Sequence, residues 1–191
     1  GVIITDLPGI YSLSPYTSEE IVTREFLLEE HPDGIINILD ATNIERNLYL
    51  TIQLIELGIP MVLALNMMDE VRDNGGTIQI NALEAALGVP VVPITARTGK
   101  NIQELLSIAH KQIHVGYTIE PDDLYDDYTH HIHHCIGELL HDYAYAAGLP
   151  AHWASIKLLE GDDIVIKALK LPPEVESKLK GIIAEYESSS D

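Results

Sequence analysis

The sequence predicts an α/β fold with a parallel sheet, followed by a small all-helical domain. Three observations carry this. Short runs rich in Val and Ile recur through the first hundred or so residues without alternating with polar positions, as in strands buried on both faces. Segments with helical spacing lie between those runs, and strand–helix–strand order implies parallel pairing. Beyond Gly116 the strand-like runs stop and only helical patterns remain. The expected division is therefore residues 1–116 and residues 117–191.

The first apolar run, Val2–Thr5, is expected to be a strand ending at Asp6-Leu7-Pro8-Gly9. Ser18 then heads Ser18-Glu19-Glu20-Ile21, a capping residue with acids in the first turn, so a helix should run toward Glu30. GIINIL (Gly34–Leu39) is the second expected strand. After it, Asn43 opens a helix carrying Ile44, Leu48, Ile52 and Ile55 on one face and stopped by Gly58. PMVLALN (Pro60–Asn66) and PVVPI (Pro90–Ile94) complete the strands, with INALEAALG and NIQELLSIAHKQI as the alternating helices. In the second part a long helix is expected from Pro121 to a stop at Gly148 and Pro150. Three shorter helices follow, the last opened by Pro172-Pro173, and Ser188–Asp191 reads as a frayed tail.

Composition narrows the function. A single cysteine, Cys135, rules out a disulfide scaffold and suits a reducing compartment. No stretch is long and apolar enough to span a bilayer, and the opening residues lack the basic flank of a secretory leader, so a soluble region is expected. Eleven Lys and Arg against 30 Asp and Glu give a formal charge of −19, which repels nucleic acid and anionic membrane surfaces alike. The imbalance is concentrated: no Lys or Arg lies between Lys111 and Lys157, where Glu120, Asp122, Asp123, Asp126, Asp127, Glu138 and Asp142 all fall.

Ligands of open parallel sheets bind beyond the C-terminal strand ends. Here those ends read Asp6-Leu7-Pro8-Gly9, Asn66-Met67-Met68-Asp69 and Thr95-Ala96-Arg97. Their order resembles three motifs of GTP-binding proteins: DxxG, NxxD and a small residue followed by Ala. The chemistry suits each place. Asp6 can face Mg2+, usually through a water, because that ion prefers oxygen and gives up its waters reluctantly. Gly9 lets a backbone N–H approach a γ-phosphate. Asp69 can accept from guanine N1 and the exocyclic amine, a pair adenine does not offer. Asn66 can tie the base loop to its neighbours, and the Ala96 N–H can donate to guanine O6.

The strings DLPGIYSLSPYTSEE, DATNIERNLYLTIQLIELGIPMVLALNMMDE and HWASIKLLEGD narrow the resemblance. They look like ferrous iron transport protein B (FeoB), a bacterial membrane iron transporter with a cytosolic GTPase domain, and the likeness covers nearly the whole chain. It implies a P-loop GTPase-type sheet and, after Gly116, the family's helical domain, described as slowing GDP release. It also implies GTP or GDP with Mg2+ as cofactors, with a monovalent cation such as K+ as a candidate. The partners it implies are the transporter's own membrane domain and the small Feo accessory proteins, with self-association left open. Its place would be the cytoplasmic face of the bacterial inner membrane, and nucleic acid is not among its partners.

The sequence departs from a generic GTPase at several places. Ile10 stands where many GTPases carry a water-positioning glutamine, so that role would fall to a backbone group, a monovalent cation, or Ser12, Glu19 or Glu20. Met67 replaces the lysine of NKxD, and Thr95 replaces a serine while keeping the hydroxyl. No GxxxxGK followed by Ser or Thr is present, nor a switch threonine ahead of DLPG; both lie upstream in the family. The P-loop supplies most of the groups that cradle phosphates. The expectation is therefore a fragment truncated at its N-terminus that does not hydrolyse GTP. The missing strand would lie between the DLPG and GIINIL strands and would leave apolar edges.

Two other features admit competing readings. His130, His131, His134 and Cys135 fall at helical spacings that seat a metal between two ligands, or they are solvated histidines on an acidic helix. Trp153, Tyr125, Tyr128, Tyr143 and Tyr145 are expected to pack the helical domain. A non-catalytic regulatory or metal-sensing module built on the histidine helix is the rival function. A ribosome- or RNA-associated GTPase is disfavoured by the charge.

Overall fold

The computed structural model describes residues 1–115 and 124–189. The chain divides into two compact units, Gly1–Pro121 and Asp122–Asp191. The expected boundary after Gly116, the Pro121 entry and the acids Glu120, Asp122 and Asp123 lie outside the described residues.

In the first unit three strands, β1 (Ile35–Asp40), β2 (Met61–Asn66) and β3 (Val91–Pro93), form a parallel sheet in chain order. Asp40 pairs with Asn66 at the C-terminal end, and Leu63 pairs with both Asn37 and Val91. The helices are α1 (Ser18–Glu29), α2 (Ile44–Glu56), α3 (Met68–Asp73), α4 (Ile80–Leu87) and α5 (Ile102–Val115). Val62 and Ala64 of β2 pack with Val92, Ile94 and Leu105, and Ile102 and Ile108 of α5 close over them. On the other face Asn37 of β1 donates to Thr51 of α2 at 3.1 Å, a buried polar contact that satisfies both side chains. Covered on both sides, Met61–Leu65 are wholly buried, which accounts for the unbroken apolar run in the sequence.

Three expectations are corrected. Val2–Thr5 is not a strand: residues 1–10 have no regular structure, and Val2, Ile3 and Ile4 are 75%, 91% and 72% exposed. β-Branched composition suits a strand but does not make one; a ladder neighbour is needed to pair the backbone. Among the described residues β1 is the sheet edge and pairs only with β2. The cap of α1 is Thr17 rather than Ser18. Thr17 Oγ1 accepts from Glu20 N at 3.2 Å while Glu20 Oε2 accepts from Thr17 N at 3.0 Å. This reciprocal box needs an acid three residues on, which Thr17 has and Ser18, facing Ile21, lacks. The last strand is also shorter than PVVPI, spanning Val91–Pro93.

The second unit is helical: α6 (Asp127–Ala146), α7 (Ala151–Leu159), α8 (Asp163–Leu169) and α9 (Pro173–Ser189). Asp126 caps α6 by accepting from the Tyr128 and Thr129 N–H groups. Its carboxyl is held below the usual carboxylate range, chiefly by the Thr129 N–H. Gly148, at φ 70°, takes the left-handed turn that ends the helix. Ile132, Ile136, Leu140 and Ala144 make one buried stripe at helical spacing, against which α7, α8 and α9 pack. Trp153 is fully buried as expected, but Tyr145 is 84% exposed and does not pack. It follows Ala144 by one residue, about 100° around the helix from the buried stripe. Tyr128 stacks on Tyr186 while staying partly exposed. The tail expected to fray from Ser188 is helical to Ser189.

Candidate nucleotide-base site

Two of the three strand-end motifs meet. β2 ends at Asn66, and Met67 then takes a left-handed conformation (φ 65°, ψ 28°) that turns the chain into α3, placing Asp69 in its first turn. Beyond β3, Thr95–Lys100 folds into a tight loop. Thr98 N donates to Thr95 O at 3.1 Å, Lys100 N to Thr95 O at 3.2 Å, and Thr95 N to Lys100 O at 3.3 Å. Asn101, itself left-handed at φ 61°, ties the loop back by donating to Pro93 O at 2.8 Å.

Contacts across the gap join the motifs. Ala96 N donates to Asn66 Oδ1 at 2.9 Å, which is the tie expected of Asn66 and occupies the amide expected to donate to guanine O6. Arg97 Nη2 donates to Asp69 Oδ2 at 2.9 Å. The Asp69 side chain is 28% exposed and that of Arg97 is 82% exposed. The Arg97 hydrogen bond is the largest influence holding the Asp69 carboxyl below its ordinary range, against a smaller opposing effect of desolvation. Thr95 is buried, whereas Met67 is 39% exposed.

The DxxG segment is arranged differently. Asp6, Pro8 and Gly9 are exposed and Leu7 is half-buried, all in irregular chain. A Cβ added at Gly9 would meet nothing within 4 Å, so packing inside the chain does not account for the glycine. The carboxylate of Asp6 fits a water-mediated Mg2+ rather than an all-protein cage, because such ions commonly take one or two carboxylates plus waters and phosphate oxygens. Among the described residues no group of three or more His, Cys, Asp or Glu is set to hold a metal.

Beyond Gly9 the segment is pinned to α2 and α1. Leu13 N donates to Gln53 Oε1 at 2.8 Å, Arg24 donates to Leu13 O at 3.3 Å, and the Arg46 guanidinium lies 3.8 Å over the Tyr11 ring. Of the water-positioning candidates, Ser12 bonds Ser14 at 2.9 Å and Glu20 serves the α1 cap. Glu19, bonded to Ser18 at 2.9 Å, is held below the usual range chiefly by a backbone N–H. Gln53, Arg24, Arg46 and Asn101 were not singled out by sequence reasoning. The only available signals were a polar residue on the buried side of α2 and the turn-forming Gly99-Lys100-Asn101.

On α6, His131 Nε2 lies 3.8 Å from Cys135 Sγ, and the His130 and His134 rings stack 6.4 Å apart. His133 is buried with its ring edge-on to His152 at 4.7 Å. The first two are pairs along α6 and the third joins α6 to α7; among the described residues no three of His, Cys, Asp or Glu are grouped to hold a metal.

Comparison with known proteins agrees with this architecture. The family model described as ferrous iron transport protein B matches residues 1–109, and that of the FeoB cytosolic helical domain matches residues 125–191. The chain is 44% identical over 172 residues to the Fe(2+) transport protein A/Fe(2+) transporter FeoB fusion protein of Porphyromonas gingivalis, covering 83% of this chain and 19% of that protein. It is 35% identical over 173 residues to Fe(2+) transporter FeoB of Salmonella choleraesuis, covering 84% and 21%. It thus spans about a fifth of the length of these two relatives. A crystal structure of a variant S. thermophilus NFeoB bound to GDP superposes with a TM-score of 0.88 at 38% identity, covering 96% of this chain and 70% of that one. NFeoB from S. thermophilus bound to GDP, aluminium fluoride and K+ gives 0.85, also at 38% identity, 96% and 70%. With a parallel three-stranded sheet, a helical unit and both family models matched in order, the chain belongs to the ferrous iron transport protein B family.

Proposed function

We propose that this region binds a guanine nucleotide and that, in the whole transporter, GTP binding and hydrolysis there are coupled to Fe2+ uptake at the cytoplasmic face of the membrane. The carrying observation is the meeting of the NxxD and Thr-Ala-Arg segments, joined by Asn66–Ala96 and Asp69–Arg97. In this reading Asp69 accepts from the guanine N1 and amino groups, and Met67 covers the base by packing. Asn66, Thr95 and Ala96 hold the base loop, and Leu7 and Pro8 carry Asp6 and Gly9 toward the phosphate end. Solved relatives described as bound to GDP or a GMPPNP analogue, one of them also to K+, support it.

The 191 residues contain no phosphate loop. Hydrolysis is therefore assigned to the whole transporter rather than to this stretch alone, and what is proposed for these residues is base recognition with a Mg2+-facing carboxylate. Bound Mg2+ would neutralise phosphate charge; Asp6 would orient one of its waters. Segment Gly9–Glu20 would respond to the phosphate end, and α2 would feel that response through Gln53.

The test is base selectivity in the full-length transporter. Asp69→Asn should lose guanine nucleotide affinity and gain xanthine nucleotide affinity, because an amide donor now faces the base. A discriminating carboxylate of this kind is worth several orders of magnitude, on the order of 10⁴-fold where a built hydrogen-bonding site loses its match. Retention of full GTP selectivity by the variant would refute the assignment of Asp69.

A further inference from the structure

We propose that Arg97 competes with guanine for Asp69 and so sets how tightly the base is held. The proposal rests on the base-site reading above and adds a residue that tunes it. The recognition edge of guanine, N1–H and C2–NH2 about one carbon, is chemically a guanidine fork. The side chain of Arg97 is the same fork, and it already donates to Asp69 Oδ2 at 2.9 Å. Arg97 reaches Asp69 through Nη2 to Oδ2 alone, whereas a guanine edge directs two parallel N–H donors at both oxygens, so Arg97 and the base meet at Oδ2.

The two partners differ in freedom. Asp69 is partly enclosed in the first turn of α3, while the guanidinium end of Arg97 stands in solvent. The loop carrying Arg97 is tied by the Thr95–Lys100 backbone pair and by Asn101 to Pro93. Exchange of partners at Asp69 is thus a swing of one exposed side chain over fixed backbone. It does not require the loop to open, and the Ala96–Asn66 hydrogen bond can persist throughout. An exposed ion pair is a weak competitor that salt weakens further, which suits a device that moderates affinity without abolishing it. Adenine brings no donor pair to Asp69 and should not feel Arg97.

The experiment is a guanosine titration, by nuclear magnetic resonance, of the 15N-labelled 191-residue chain, its Arg97→Ala and Arg97→Gln variants, and Asp69→Asn. Millimolar binding is readable by this method. Removing Arg97 should tighten guanosine binding about two- to fivefold, the range that a surface ion pair supports. The gap should narrow as salt is raised, and adenosine shifts should be the same in all chains. In the unsubstituted chain, guanosine should move the Arg97 Nε resonance toward its position in Asp69→Asn. Equal or weaker guanosine binding by both Arg97 variants, with the parent chain responding, overturns the competition alone. No guanosine response in any chain overturns the base-site reading itself, and this proposal with it.

Discussion

Val2–Thr5 and Met61–Leu65 are two apolar runs with opposite fates, and the wholly β-branched one is the one that forms no strand. The second lies between β1 and β3 and is wholly buried; the first has no ladder and is largely exposed. The difference teaches that a β-branched run states only what a strand's side chains would tolerate. Whether the strand exists depends on backbone partners, which belong to other parts of the sequence. Met61–Leu65 has neighbours on both sides and helices on both faces, so pairing and burial make it a strand although only Val62 is β-branched. At Val2–Thr5 only propensity is present.

The largest effect that would sharpen this contrast is at the centre of β2. Leu63→Ala should destabilise the first unit by about 2–5 kcal/mol, since the side chain is fully buried and its site cannot collapse between two strands. Chemical denaturation of the 191-residue chain measures it; a loss as small as that of a surface change would mean the sheet centre is not packed as described. Next is the polar pin between β1 and α2. Asn37→Ala should cost about 0.5–1.5 kcal/mol by removing this hydrogen bond, while the Thr51 hydroxyl keeps its bond to Asn47 O. Hydrogen exchange should locate the loss at β1 and α2, and protection lost equally over both units would contradict that placement. The smallest effect is expected at the first run. Ile3→Ser should change stability by no more than about 0.5 kcal/mol, and the amides of Val2–Thr5 should exchange fast while those of Val62–Leu65 stay protected. Strong protection at Val2–Thr5 would erase the contrast.

Much of the fold was legible because it depends on local signals that agree. Gly58 and Gly148 mark helix ends by a backbone conformation that few other residues adopt, and the Ile132–Ile136–Leu140–Ala144 stripe has helical spacing. The cap of α1 falls one residue before Ser18: Thr17 and Ser18 are chemically similar, and only the reach of Glu20 separates them. For the candidate site, residue types at successive strand ends single out Asn66, Asp69, Thr95, Ala96 and Arg97. Sequence could not show which of these satisfy one another. That Ala96 bonds Asn66 and Arg97 bonds Asp69 follows from loop geometry of a few residues, which depends on distances and not on spacing. Gln53 escaped notice for a related reason: its partner is a main-chain amide forty positions away, and main-chain groups leave no mark in a sequence.

The left-handed backbone at Met67 shapes what substitution can do there. A saturation library at this position would sort first by handedness and only afterwards by side-chain chemistry. Gly, Asn and Asp would be accepted readily because they reach positive φ at little expense, and unbranched chains such as Lys or Gln would follow. Val, Ile and Thr would be rejected despite resembling methionine in bulk or polarity, since branching at Cβ crowds that conformation. Tolerance at position 67 would then report the turn that aims Asp69, and a variable residue would mark a fixed piece of backbone.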